Sequence, residues 1–251
     1  MDLEPTFFRF PHTPHLAWLG DGYPRDDKVL SRQEAKELLK GEVLVEEKLD
    51  GANLGISLGS NGVLQVQNRG QFLVGRYSGQ FSRLSSWLGQ HQYCLCNHIQ
   101  KNMILFGEWC AARHSLEYQS LPDWFVLFDV YDRSEQKFWN STRRNELAKL
   151  LKLPVVASAF QGETTLRKLI ELLKGSESQY RSGPPEGFVI RKQSANWCDS
   201  RAKLVRAEFT QSIDDHWRSR AIEWNRVNVP GNLKTGTELK KSNKDNIKIR
   251  G

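Results

Sequence analysis

The chain has 251 residues, 39% of them hydrophobic, which is enough for one large domain with its own core. Its formal net charge of +7 and pI of about 9.2 favour a polyanionic partner. No apolar run approaches the length of a membrane span, and the first residues do not have the layout of a signal peptide. We therefore expect a cytoplasmic protein with no membrane partner.

The first 30 residues are rich in proline and aromatic side chains and predict an irregular arm packed on the main domain. The aromatic residues of this arm are Phe7, Phe8, Phe10, Trp18 and Tyr23. Four basic residues of the arm, His12, His15, Arg25 and Lys28, either form part of a pocket for nucleic-acid ends or are solvated charges. Ser31 then caps a short helix predicted over residues 31–40.

A lysine follows the next predicted strand. Val43 and Val45 alternate with other residues as in a strand that ends at Lys48, and Asp50-Gly51 indicates a tight turn behind it. Such a lysine projects its amine into a cleft, where cations or desolvation can lower its pKa and make it a nucleophile. The alternative is a hairpin with a surface lysine.

The rest of the chain predicts an α+β domain built on antiparallel sheets with flanking helices. Further strands are predicted at 63–67, 103–110, 124–131, 187–192 and 202–207, and helices at 79–99, 142–152, 163–175 and 210–226. The last helix is based on the spacing of Ile213, Trp217, Ala221 and Trp224. Residues 229–251 are basic and polar and predict a mobile arm, which either contacts phosphates or aids solubility.

Cysteine usage favours reduced, packed thiols, in line with a cytosolic protein. The four cysteines are Cys94, Cys96, Cys110 and Cys198. Cys94-Leu95-Cys96 is a single close pair with no second pair beside it, which is poor spacing for the alternative, a zinc site.

Six segments occur in an order and spacing that resemble motifs I, Ia, III, IIIa, IV and V of the covalent nucleotidyltransferases. This superfamily contains RNA ligases, DNA ligases and mRNA capping enzymes, and the resemblance covers residues 43–209. The segments are Lys48-Leu49-Asp50-Gly51-Ala52-Asn53, Asn68-Arg69-Gly70, Phe106-Gly107-Glu108-Trp109, residues 125–131, residues 185–191 and residues 201–206. The first motif, Phe128-Asp129 and the ending after Lys203 are most similar to the RNA ligase family.

The resemblance implies a single nucleotidyltransferase domain over residues 31–228. About 40 residues follow the last motif, too few for an appended OB barrel. It also implies an ATP-dependent RNA ligase that joins 5′-phosphate and 3′-hydroxyl ends of RNA through a lysyl-adenylate and an adenylylated RNA. The cofactors would be ATP and Mg²⁺, with Mn²⁺ as a possible replacement.

The same resemblance assigns catalytic roles. Lys48 would be the nucleophile, and Asp50 would shape the turn behind it. Lys203 would neutralise the α-phosphate and help to keep Lys48 deprotonated. Glu186 and Glu108 would be linked to the metal.

Nucleotide contacts are assigned in the same way. Glu47 would lie near the adenine amino group, unless it is an exposed strand acid, and Phe128 would stack on adenine, unless it belongs only to the core. Asn53 and Arg69 would contact phosphates, a metal-bound water or the ribose. Glu108 would accept hydrogen bonds from the ribose.

One position departs from the superfamily pattern. The last motif usually contains two lysines separated by one residue, whereas here Arg201 aligns with the first and Lys203 with the second. Arginine supplies the positive charge but not the compact ammonium group, so the balance between the reaction steps is in question.

Three other functions remain open from the sequence. The first two are a small ATP-dependent DNA ligase and a capping guanylyltransferase, which both usually carry the barrel. The third is a non-catalytic RNA-binding module with the same fold.

Overall fold

The structure, a computed structural model, describes residues 6–22, 24, 28–211 and 221–228. The strands of this part of the chain are β1 (Glu42–Lys48), β2 (Ala52–Leu58), β3 (Leu64–Gln67), β4 (Met103–Trp109), β5 (Phe125–Asp132), β6 (Lys137–Phe138), β7 (Ser158–Glu163), β8 (Gly187–Gln193) and β9 (Cys198–Val205). The helices are α1 (Arg32–Leu38), α2 (Leu84–His98), α3 (Ser141–Leu151), α4 (Leu166–Gly175) and α5 (Ala207–Gln211).

The strands form two antiparallel sheets. The first has the order β7-β1-β8-β9 and the second the order β3-β2-β4-β5-β6. Helices α1 and α4 pack on the first sheet through Leu38, Leu169 and Leu173, which lie in one cluster with the β1 valines. Helices α2 and α3 pack on the second sheet in a separate, larger core. Each sheet therefore has its own hydrophobic core. The predicted α+β fold of antiparallel sheets with flanking helices is confirmed.

Local sequence explains where the helices begin. The Ser31 hydroxyl accepts from the backbone N–H of Glu34, whose carboxylate accepts in turn from the Ser31 N–H, so α1 starts with a reciprocal cap. Asn140 caps α3 and Thr165 caps α4 with one hydrogen bond each, in which the side-chain oxygen accepts from a backbone N–H of the first turn.

The N-terminal arm extends the first sheet at its β9 edge. The Leu16 N–H donates to the Lys203 carbonyl at 2.7 Å, and the Lys203 N–H donates to the Pro14 carbonyl at 2.8 Å. On the other side, the Leu30 N–H donates to the His15 carbonyl at 2.8 Å. The chain before α1 is thus held to the strand that carries Lys203.

Several predicted elements differ from the observed ones. β7 was not predicted, because it lies at a sheet edge and its residues are mostly polar and exposed. The helix predicted from residue 79 begins with a 3-10 turn at Gly79–Phe81, and α2 itself starts at Leu84. The helix predicted from residue 163 begins at Leu166.

The last predicted helix is wrong over residues 221–226. This segment is irregular: Trp224 forms an isolated bridge with Ala112, and Val227, the first residue after the segment, forms one with Leu121. Tyr23, Arg25, Ile213, Trp217 and the basic arm over residues 229–251 lie outside the described residues. Within the described part, no helix has both the length and the apolar character to cross a bilayer.

Candidate active site

A cleft of about 330 Å³ lies between the two sheets. This volume is within the range of small-molecule sites. Strands of both sheets and the N-terminal arm contribute side chains to it. Eight of the predicted site residues line the cleft: Glu47, Lys48, Asn53, Arg69, Glu108, Phe128, Arg201 and Lys203.

Lys48 lies at the end of β1 opposite Gly187 of β8. Its Nζ donates to both carboxylate oxygens of Glu186 at 2.7 Å. Solvent still reaches this ion pair, because the Lys48 side chain is 27% exposed and the Glu186 side chain is 13% exposed. A Cβ on Gly187 would lie 2.4 Å from the Leu204 carbonyl oxygen, so only glycine allows the close strand approach beside Glu186.

Lys48 is surrounded by an excess of acids. We call Lys48, Asp50, Glu108 and Glu186 the reactive cluster. Burial lowers the pKa of Lys48, but the carboxylates of Glu186, Glu108 and Asp50 outweigh burial and raise it above its ordinary value. The acids thus favour the charged form of Lys48 in the ligand-free protein, and the role of Lys203 in keeping Lys48 deprotonated before attack stays a prediction.

The two glutamates of the reactive cluster are also perturbed. Burial raises the pKa of Glu108 to about 7, with Lys48 opposing and the neighbouring acids reinforcing the shift. Burial likewise raises the pKa of Glu186 to about 7 against the attraction of Lys48. Lys48, with a smaller contribution from Lys203 at Glu186, thus compensates the carboxyl groups incompletely, which favours the entry of a further cation.

Asp50 points away from the cleft. Its Oδ2 accepts from the backbone N–H groups of Ser115 and Leu116 at 2.7 and 3.0 Å, and its own N–H donates to the Tyr118 hydroxyl at 2.8 Å. The Gly51 N–H donates to Glu108 Oε1 at 3.0 Å. These bonds fix the turn behind Lys48, the position predicted for Asp50.

The chemistry of the donor set fits a hard metal ion. Asn53 and Glu108 are direct cross-strand partners on β2 and β4. Asn53 Oδ1 is buried and has no hydrogen-bond partner among the described residues, which is costly unless a ligand satisfies it. Carboxylate and amide oxygens suit Mg²⁺ or Mn²⁺. No group of three or more His, Cys, Asp or Glu side chains in the described ranges forms a complete metal site by itself.

Glu47, the residue before Lys48 on β1, is buried and lines the cleft. Its carboxylate accepts from the Ser178 hydroxyl and from the Gln179 N–H at 2.9 Å. Burial raises the pKa of Glu47, and those two hydrogen bonds oppose the shift. Glu47 is therefore not the exposed strand acid that the sequence left open.

Most of a second group of charges lines the same cleft beside Lys48 and Glu108, and the sequence did not reveal how its members pair. We call Glu46, Asp129, Arg144, Arg191 and Arg201 the arginine network. Arg144 and Arg191 both bind the Glu46 carboxylate, at 2.5 and 2.6 Å, and Arg191 also binds Asp129 at 2.7 Å. Asp129 completes the network by binding Arg201 at 2.5 Å.

The network fixes Phe128. The Phe128 carbonyl accepts from Arg144 Nη1 at 2.8 Å and from Arg191 Nη2 at 3.0 Å. Its ring is half-buried, lines the cleft and meets the Phe10 ring edge-on at 5.4 Å. The ring is thus presented to the cleft by a rigid backbone.

Arg201 is held on two sides. Besides its bond to Asp129, its guanidinium lies over the rings of Phe138 and Phe10, at 4.0 and 4.7 Å from their centroids. The cofactor-binding role that the last motif implies for Arg201 stays a prediction, and the structure adds an internal role for its charge.

Arg69 stands at the mouth of the cleft. Asn68 Oδ1 accepts from the N–H groups of Gly70 and Gln71 at 2.8 and 2.9 Å, so the turn after β3 is closed and Arg69 projects from it. Arg69 is exposed, and His12 of the N-terminal arm also lines the cleft.

Comparison with known proteins identifies relatives of this architecture. The family model described as RNA ligase matches residues 41–205. No curated protein matches the chain.

Solved structures of similar fold include RNA ligases. An apo structure of a Naegleria gruberi RNA ligase mutant matches with a TM-score of 0.57 at 15% identity, covering 84% of this chain and 60% of that chain. Another mutant of that ligase, with ATP and Mn, matches with a TM-score of 0.56 at 17% identity, covering 82% and 58%. An archaeal ATP-dependent RNA ligase matches with a TM-score of 0.54 at 19% identity, covering 79% and 48%. The chain thus spans 60% or less of the length of these proteins.

Proposed function

The chain belongs to the RNA ligase family of the covalent nucleotidyltransferase superfamily, and we propose that it is an ATP-dependent RNA ligase. It would join 5′-phosphate and 3′-hydroxyl ends through a lysyl-adenylate and an adenylylated RNA. The observation that carries this proposal is Lys48, which opens into the cleft between the sheets with Glu186 at 2.7 Å.

In the first step, Lys48 would attack the α-phosphorus of ATP. A bond would form between Nζ and phosphorus and the bond to pyrophosphate would break, while the two protons that the ammonium loses would pass to Glu186, the nearest base, and to the departing pyrophosphate. Until a ligand enters, Glu186 holds Lys48 as the ammonium. Lys203, which lines the same cleft, would neutralise the α-phosphate.

In the second step, an oxygen of the RNA 5′-phosphate would attack the adenylate phosphorus, and Lys48 would leave as the amine. In the third step, the 3′-hydroxyl would attack the activated 5′-phosphate and expel AMP. Arg69, which lines the cleft, would contact phosphates during these exchanges.

Glu108, Glu186 and Asn53 Oδ1 would hold the divalent metal. Mg²⁺ or Mn²⁺ bound there would neutralise phosphate charge that develops during transfer. The adenine ring would stack on Phe128, and Glu47 would meet its amino group at the wall of the cleft.

The experiment compares the sealing of four nicked duplexes, with RNA or DNA on each side of the nick, in the presence and absence of ATP. We expect sealing to require ATP and RNA on the strand that bears the 3′-hydroxyl, because its 2′-hydroxyl can fix the geometry of the attacking group. Equal sealing of an all-DNA nick would favour the DNA ligase alternative. No sealing of any nick, with intact folding, would favour the RNA-binding module.

A second assay separates the steps. Lys48→Ala should fail to seal ordinary nicks but should still seal a pre-adenylated RNA, because the third step does not use the amine. Lys192→Ala is the matched control, since that lysine of β8 donates to the Glu37 carbonyl at 2.7 Å, outside the cleft. Loss of both activities in Lys48→Ala would mean that Lys48 also positions the phosphate.

A further inference from the structure

The described residues after α5 form a short segment, residues 221–228, which we call the C-terminal strap. At its centre Asn225 is buried and bonds only to distant parts of the chain. Its Oδ1 accepts from the Tyr118 N–H at 2.8 Å, and its Nδ2 donates to the carbonyls of Cys110 and Ala112 at 2.8 and 3.3 Å. A buried amide that is satisfied in this way specifies one arrangement of the two segments.

The strap is attached to residues 110–121 along its length. The Arg226 N–H donates to the Tyr118 carbonyl at 2.9 Å, and the Asn228 N–H donates to the Leu121 carbonyl at 2.8 Å. At the other end, the Arg113 N–H donates to the Glu223 carbonyl at 2.8 Å. The strap is therefore hydrogen-bonded to this segment at Tyr118 and at positions before and after it.

That same segment holds the turn behind Lys48. The Tyr118 hydroxyl accepts from the Asp50 N–H, and the N–H groups of Ser115 and Leu116 bind the Asp50 carboxylate. Tyr118 is thus bonded by its backbone to Asn225 and by its hydroxyl to Asp50. No residue of the strap lines the cleft. The strap therefore reaches the nucleophile from outside the cleft, by its hydrogen bonds to residues 110–121 and by Val227, which packs against the cluster that contains Leu49.

We infer that the C-terminal strap positions Lys48 for attack, with Asn225 and Tyr118 as positioning residues that act through the Asp50 turn. This inference rests on the proposed function, because it concerns the adenylation of Lys48. Misplacement of a nucleophile by a fraction of an ångström to about 1 Å lowers the reaction rate by up to about 100-fold without removing any reacting group.

The test measures single-turnover adenylation of the full-length chain by labelled ATP, with rate constant and amplitude recorded separately. Asn225→Ala and Tyr118→Phe should each lower the rate constant by about 10- to 100-fold and leave the ATP concentration for half-saturation nearly unchanged. Tyr118→Phe removes one oxygen and therefore serves if Asn225→Ala folds poorly. Glu223→Gln is the control, because it alters only an exposed strap carboxylate that pairs with Arg113.

The double variant Asn225→Ala/Tyr118→Phe tests whether both residues act on one path. A rate constant close to that of the slower single variant supports the inference, whereas the full product of the two losses overturns it. A lower amplitude with a wild-type rate constant in both single variants also overturns it, since that result describes stability alone. An unlabelled wild-type protein overturns the proposed function, and this inference with it.

Discussion

The reactive cluster and the arginine network share strand β1, and their charges are arranged in opposite ways. In the network, Glu46 and Asp129 face three arginines, and the acid side chains are only 1–2% exposed. In the reactive cluster, three acids face one lysine, and the Lys48 side chain is 27% exposed. Glu46 and Lys48 are two residues apart on the same strand. The difference in charge balance therefore arises from the side chains that surround each of them.

The difference shows two arrangements of buried acids around one cleft. The network compensates both of its own acids, Glu46 and Asp129, and connects β1, β5, α3, β8 and β9. The reactive cluster leaves acid charge uncompensated beside a cleft. Buried charges without partners are costly, so an uncompensated group is retained where a ligand supplies the missing charge.

The largest effect on folding is expected from Arg191→Met. This change removes one partner from both Glu46 and Asp129 and should lower the free energy of unfolding by about 3–5 kcal/mol. Urea unfolding measures it. The control Arg167→Met breaks only an exposed pair with Glu171 and should cost under about 1 kcal/mol. A loss in Arg191→Met no larger than in the control would remove the structural role of the network.

Glu186→Gln should produce the reverse pattern. Removal of one acid from the reactive cluster should leave the free energy of unfolding nearly unchanged, while adenylation slows by about 100- to 1000-fold, as for other electrostatic groups of active sites. Urea unfolding and single-turnover adenylation measure the two quantities. Glu171→Gln, an exposed acid of α4, should change neither. Severe unfolding with normal adenylation would mean that Glu186 is structural.

A smaller effect is expected from the metal. If Glu108, Glu186 and Asn53 bind Mg²⁺ or Mn²⁺, then saturating metal should raise the melting temperature, by the equivalent of about 2.7 kcal/mol at 100 times the dissociation constant. EDTA should reverse the increase. Glu108→Gln should abolish it, and Glu171→Gln should keep it. A metal-induced increase that survives in Glu108→Gln would place the ion elsewhere.

The sequence was sufficient for the parts of the site that short motifs define. Lys48, Asn53, Glu108 and Phe128 are predicted from motifs that resemble those of the RNA ligase family, and all four line the cleft. The fold class followed from strand and helix patterns in the same way. These features depend on neighbouring residues, which a single sequence displays directly.

The arginine network and the strap could not be predicted because they depend on distant pairs. Arg144 is 98 positions from Glu46, and Asn225 is 107 positions from Tyr118. The spacing of Ala221 and Trp224 suggested a helix, but Trp224 instead lies against the Arg83 guanidinium at 4.1 Å. The hydrogen bonds of Asn225 outweigh helical propensity in that segment.

The most direct test of the account is the mass of the protein after incubation with ATP and Mg²⁺, followed by peptide mapping. The account predicts the addition of one AMP group on Lys48, its absence in Lys48→Ala, and its retention in Lys192→Ala. The Lys48→Ala protein should remain folded, because a partly exposed lysine contributes little to the core. An AMP group on any other residue, or adenylation of folded Lys48→Ala, would contradict the assignment of the nucleophile.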